Sequence, residues 1–99
     1  MAVCLLLKAV NGDTVGQETA MRVVGSREPP GRMGLQIAVT GTATVQIQGR
    51  IARDAPWLDM GAAHSASALM HIEPTQFLRA VASQMAAGSS VSVWAVWGW

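Results

Sequence analysis

The chain has 99 residues, which suffices for one small domain but not for two independent hydrophobic cores. Charged residues make up 13% of it and apolar residues 51%, a composition that excludes intrinsic disorder. The formal net charge is only +1 and the basic residues are scattered, so we expect no nucleic-acid partner. No apolar run reaches the ~18 residues of a membrane-spanning helix, so we expect no membrane partner either.

The N-terminal third contains two predicted strands and a long loop. Val3–Val10 is an apolar strand that ends at the turn sequence Asn11-Gly12-Asp13. Thr19–Val24 is a weaker strand candidate. Residues 26–34 include two prolines and two glycines, and proline removes the backbone donors that a sheet needs, so this segment is predicted to be a loop.

The clearest strand signal is the alternation in Thr42–Ile51. Val45 and Ile47 fall on one face with the other apolar residues, whereas threonine, glutamine and arginine fall on the other. Residues 35–40 alternate in the same way, and Gly41 separates the two runs. The runs are therefore predicted to form either a tight hairpin or one strand kinked at a bulge.

The C-terminal part repeats this alternation. In Ser90–Val96, Val91 and Val93 fall on one face and Trp94 falls on the other. Residues 57–60 and 69–72 are weaker strand candidates. Short strands separated by turns at regular spacing are typical of a β-sandwich or a barrel.

Residues 73–88 admit two interpretations. Phe77, Leu78, Val81 and Met85 make an apolar stripe at helical spacing, and the alanine-rich composition also suits a helix. A strand would instead alternate these residues between two faces. The local pattern favours the helix but leaves the strand open.

Four motifs, in this order, resemble a known family. They are Thr-Ala-Thr-Val-Gln-Ile-Gln-Gly at 42–49, Trp-Leu-Asp at 57–59, Phe-Leu-Arg-Ala-Val at 77–81 and Gly-Ser-Ser-Val-Ser-Val-Trp at 88–94. The segment that carries them, residues 41–96, resembles small β-sandwich virion accessory proteins of tailed bacteriophages: capsid decoration or cement proteins, head fibres and tail accessory modules.

This resemblance, together with the strand pattern, predicts a fold. We expect residues 1–99 to form a single all-β sandwich of about seven or eight antiparallel strands, of which the jelly roll is one form. The resemblance favours a strand over a helix for residues 75–85. It also implies that this strand pairs with the terminal strand through the Gly-Ser turn at 88–89.

The resemblance also implies a function. We expect a structural virion protein, a capsid decoration or cement protein that stabilises the assembled shell, with a tail, neck or head-fibre subunit as the nearest alternative. Its partners would be the major capsid protein or other virion subunits and further copies of itself. It would lie on the capsid surface after assembly in the host cytoplasm.

No arrangement of residues predicts catalysis, a cofactor or a metal. His64 and His71 are the only imidazoles, and no cysteine or carboxylate stands beside them at ligand spacing. The six carboxylates form no close pair suited to acid–base chemistry, and the glycine-rich stretch at 30–34 lacks the residues of a phosphate loop. We therefore expect a protein that is not an enzyme.

The tryptophans are the most informative side chains. Trp57 follows a turn and is predicted to fill the core between the two sheets, beside Val45, Ile47, Val91 and Val93. The aromatic segment 94–99 holds the other three, and aromatic residues dominate the energetics of interfaces. This segment is expected to contact a partner through Trp94, Trp97 and Trp99, and the alternative is a tail that folds back over the end of the sandwich.

Two further interpretations stay open. Arg27 and Arg32, in the proline-rich loop, are either ordinary solvated charges or part of an arm that grips a neighbouring subunit. A carbohydrate-binding module, in which Trp94 and Trp97 stack on sugar rings, is an alternative of a different functional class. That alternative requires exposed indoles with polar side chains beside them.

Overall fold

The structure, a computed structural model, describes residues 2–20, 33–72 and 75–97. These residues form nine strands and no helix. The strands are β1 (Ala2–Val10), β2 (Thr14–Val15), β3 (Thr19–Ala20), β4 (Met33–Thr40), β5 (Thr44–Arg50), β6 (Leu58–Asp59), β7 (Ala68–Ile72), β8 (Phe77–Ser83) and β9 (Ser90–Trp97).

The strands build two antiparallel sheets. Sheet A has the order β1-β9-β4-β7, and sheet B has the order β2-β8-β5-β6, with β3 also paired to β8. If β2 and β3 are counted as one interrupted strand beside β8, this order is that of a jelly roll. The all-β sandwich predicted from the sequence is thus confirmed.

The hydrophobic core lies between the inner faces of the two sheets. Val45 and Ile47 enter it from β5 and Val91 and Val93 from β9, and each is at most 1% exposed. Burying a side chain of this kind contributes about 1.5–3 kcal/mol to the free energy of folding. The other core side chains come from β1, β4 and β8, from Ala43 and from Ala95 of β9.

Residues 77–83 form strand β8, so the strand is confirmed and the helix that the local pattern favoured is wrong. The misleading signal comes from Phe77 and Leu78, which are adjacent and both buried. Leu78 points into the core, whereas Phe77 lies on the outer side of sheet B beneath arginine side chains. Two adjacent buried residues imitate the apolar stripe of a helix.

The tight hairpin at Gly41, one of the two predicted alternatives, does not form, and β8 does not pair with β9 as the resemblance implied. Strands β4 and β5 belong to different sheets, and so do β8 and β9, because the chain crosses from one sheet to the other around Gly41 and around Gly88. Both glycines have positive φ angles, +84° and +81°, which suit such sharp changes of direction. The two crossings support each other: the amide of Thr42 donates to Ser89 Oγ over 2.9 Å, and the amide of Ala86 donates to the Thr42 carbonyl over 3.1 Å.

The loop predicted for residues 26–34 ends earlier than expected. Met33 and Gly34 already belong to β4, and Met33 is 1% exposed because its side chain enters the core. The preceding residues 26–32 lie outside the described part of the chain.

Candidate interaction surface

The outward side of sheet A, here called face A, carries one mainly apolar row of side chains across its four strands. Leu5 on β1 is paired with Trp94 on β9, Trp94 with Gln36 on β4, and Gln36 with Leu69 on β7. Alternation directs these four side chains away from the core, because their neighbours in the strands point inward. Trp94 therefore lies inside the row, flanked by strands on both sides.

Four large apolar side chains of face A are exposed. Val3 is 69% exposed, Leu5 42%, Leu69 80% and Trp94 36%. The four strands of sheet A contain one lysine, Lys8 near the end of β1, and no arginine, aspartate or glutamate. The four exposed side chains thus share a surface that has almost no charge.

A hollow of about 330 Å³ lies beside Trp94. Its walls include the side chains of Val3, Gln36, Leu69 and Val96. These walls are mainly apolar, and the polar side-chain groups among the residues that line it are the Gln36 amide and the indole N–H of Trp94. Such a hollow can receive an apolar side chain from a partner.

The structure describes only part of the predicted interface. Trp94 is exposed on face A. Trp97 ends β9, where its backbone is paired with Ala2 and Met33, and its side chain lies outside the described part. Trp99, Arg27 and Arg32 also lie outside the described residues.

The outward side of sheet B, here called face B, contains Trp57. The prediction that Trp57 fills the core is wrong: its ring is half-buried outside sheet B, where the guanidinium groups of Arg50 and Arg79 lie 4.5 and 4.3 Å from the ring centroid. The inner space is filled by smaller side chains such as Ile47 and Leu78. A ring between two cations is held by cation–π attraction as well as by burial.

The polar side chains of face B bond to one another. Glu18 bridges Arg50 and Arg53, with 3.1 Å to Arg53. Arg79 Nε donates to Gln48 Oε1 over 2.8 Å, and the amide of Gln48 donates to Asp59 over 3.0 Å.

The two histidines and the described carboxylates lie at separate places in the fold. His64 pairs through its backbone with Val45, and His71 lies exposed on β7. Within residues 2–20, 33–72 and 75–97, no three histidine, cysteine, aspartate or glutamate side chains gather at a spacing that could hold a metal ion. No helix among the described residues is long and apolar enough to cross a membrane.

Val3, Leu5, Gln36 and Leu69 were not predicted as interface residues. The alternation of β4 and β9 gave the outward direction of Gln36 and Trp94, but the neighbours of Trp94 depend on which strands pair and in which register. No local pattern in the sequence carries that information. Comparison of the chain with models of protein families, with curated proteins and with solved structures found no match.

Proposed function

We propose that this protein is a non-enzymatic structural subunit that binds a larger protein assembly through face A. The observation that carries the proposal is the nearly uncharged outer side of sheet A, where Trp94 lies among exposed Val3, Leu5 and Leu69. Water contact with this apolar surface is unfavourable, so covering it with a matching surface stabilises the complex.

Trp94 is the anchor of this binding mode. Interface hot spots are enriched in tryptophan and lie near the centre of the contact, surrounded by residues that exclude water. Trp94 has such surroundings, because β1 flanks it on one side and β4 and β7 lie on the other. The hollow beside it offers space for one apolar side chain of the partner.

The assembly that we propose is the shell of a tailed bacteriophage, with the protein acting as a decoration or cement subunit on the capsid surface. The motif resemblance described above supports this choice. A repeating lattice also presents many identical sites, so subunits that bind weakly one by one gain avidity when they contact each other. A tail, neck or head-fibre subunit would use face A in the same way.

One observation favours a carbohydrate as the alternative ligand. Gln36 lies beside Trp94 in the register of sheet A, so an indole and an amide border the same hollow. Sugars bind to such pairs by stacking and hydrogen bonding. Beside the Gln36 amide, the described walls offer only the indole N–H of Trp94, whereas a sugar ring carries several hydroxyl groups. The balance of apolar to polar groups therefore favours a protein surface.

The test begins with purified particles from the source of this chain. Quantitative mass spectrometry should find the chain at a fixed simple ratio to the main shell protein. A few copies per particle would assign it to the tail, neck or fibre, and its absence would overturn the virion proposal.

Binding to particles that lack the chain then tests face A. Trp94→Ala should weaken binding at least ~10-fold, a loss of about 1.4 kcal/mol, because it removes the proposed anchor. Leu58→Ala is the matched control, since Leu58 is 67% exposed but belongs to sheet B, and it should bind like the wild type. Equal binding by Trp94→Ala would contradict docking through face A. A glycan array on which Trp94→Ala abolishes a clear signal would support the carbohydrate alternative instead.

A further inference from the structure

The edges of the two sheets differ in how well they are protected. A strand at a sheet edge has backbone groups without partners, and proteins usually protect such edges with short strands, bulges, charges or prolines. In sheet B the edge strands β2, β3 and β6 are each two residues long. In sheet A, β1 has two register shifts, a left-handed Ala9 at φ 45° and the charged Lys8.

Strand β7 has none of these protections. Its five residues, Ala68–Ile72, pair with β4 in unbroken register, and they include no proline, no lysine, arginine, aspartate or glutamate and no positive φ angle. On its other side, no described residue donates or accepts a hydrogen bond to its backbone. Among the edges that the structure describes, β7 is the long and regular one.

The space beside this edge is open. A groove of about 470 Å³ is lined by Met70, His71 and Ile72 of β7 together with Met60 and His64. The outward side chain of Leu69 is 80% exposed. An additional strand could therefore pair with β7 without displacing any described residue.

We propose that a second copy of this chain occupies the edge, so that two β7 strands pair antiparallel around a two-fold axis at Met70. This register opposes Leu69 of one copy to His71 of the other, and Ala68 to Ile72. Each copy contributes the same segment, so one surface is complementary to itself. The described strand brings no like charges together across the axis, because it contains no lysine, arginine, aspartate or glutamate.

The pairing also enlarges face A, an argument that rests on the proposed function. Four strands at ordinary spacing give face A a projected area of roughly 450 Å², whereas a standard protein interface takes about 800 Å² from each partner. Joining two copies at β7 continues sheet A across the axis. The resulting eight-stranded surface, roughly twice as large, reaches the size of a standard interface.

Sedimentation equilibrium of the full chain tests the pairing without any other partner. A five-residue edge buries less surface than a standard interface, so we expect a reversible dimer with a Kd of roughly 10–100 µM. The average mass should rise toward twice that of one chain as the concentration increases. Amide resonances of residues 68–72 should shift with concentration, whereas those of β1 should not. A single-chain mass up to about 1 mM would overturn the proposal.

Two variants separate edge pairing from contact between two copies of face A. His71→Lys places a charge on the paired edge and should weaken the dimer at least ~10-fold, whereas Leu58→Lys, an exposed position on β6, should not. Trp94→Ala should leave the dimer intact. A dimer that Trp94→Ala dissolves and His71→Lys preserves would overturn edge pairing. Sedimentation tests the β7 pairing and particle binding tests the proposed function, so either proposal can fail without the other.

Discussion

The two outer faces of this sandwich both consist of strands with alternating inward and outward side chains, yet their outward side chains make different contacts. On face B the outward residues bind each other: Glu18 bridges two arginines, and Trp57 lies against Arg50 and Arg79. On face A, Trp94 lies between apolar Leu5 and polar Gln36 in the central strands, and the described side chains of Leu69 and Trp94 remain exposed.

This difference supports the proposal that face B completes the monomer and that face A binds a partner. The contacts of face B join the Glu18 segment and the 51–57 turn to strands β5 and β8, so they stabilise a single chain. Among the described residues, the large side chains of face A make no comparable contacts, and Val3, Leu5, Leu69 and Trp94 leave apolar surface in water. We therefore expect substitutions on face B to lower the free energy of unfolding and substitutions on face A to act mainly on binding.

Arg50→Ala should have the largest effect on stability. Its side chain is 17% exposed, bonds to Glu18 and lies against Trp57 and Phe77, so the substitution removes several partly buried contacts at once. We expect the free energy of unfolding to fall by about 2–3 kcal/mol, measured by urea denaturation followed by circular dichroism.

The matched control for Arg50 is Arg53→Ala. Arg53 bonds to the same carboxylate, but its side chain is 75% exposed, and exposed ion pairs contribute about 0–1 kcal/mol. Equal losses from the two variants would show that burial of Arg50 is not what makes face B stabilising.

Trp57→Ala should have the second-largest effect. The half-buried ring covers two guanidinium groups, and its loss exposes them and the apolar surface beneath, so we expect a decrease of about 2 kcal/mol in the free energy of unfolding. Trp57→Phe keeps an aromatic face for both arginines and should lose less than half as much in the same measurement. A full loss with phenylalanine would mean that packing of the larger ring, and not cation–π contact, is the main contribution.

The sequence predicted what depends on neighbouring residues and missed what depends on strand pairing. The alternation identified the inward side chains of Val45, Ile47, Val91 and Val93, because successive side chains along a strand point to opposite faces of the sheet. The position of Trp57 could not be predicted in this way. Its two arginine partners come from β5 and β8, which meet only in the folded sheet.

The candidate site shows the same division. The outward direction of Trp94 follows from the alternation of β9. Its placement in one row with Leu5 and Leu69 requires the order β1-β9-β4-β7, which no short motif encodes. The hairpin considered at Gly41 and the pairing implied at Gly88 did not form for a related reason, since glycine at a positive φ suits both a tight turn and a crossing between sheets.

Trp94→Ala should have the smallest effect on stability and thereby sharpens the contrast between the faces. Part of the indole is already in water, at 36% exposure, and no cation–π contact involves it among the described residues. We expect a decrease of about 1 kcal/mol in the free energy of unfolding, measured by urea denaturation as for Arg50→Ala. Trp94→Thr, which keeps the preference for a strand, should lose less. If Trp94→Ala lowered stability as much as Trp57→Ala, face A would serve the monomer itself, and its apolar row would no longer argue for a partner.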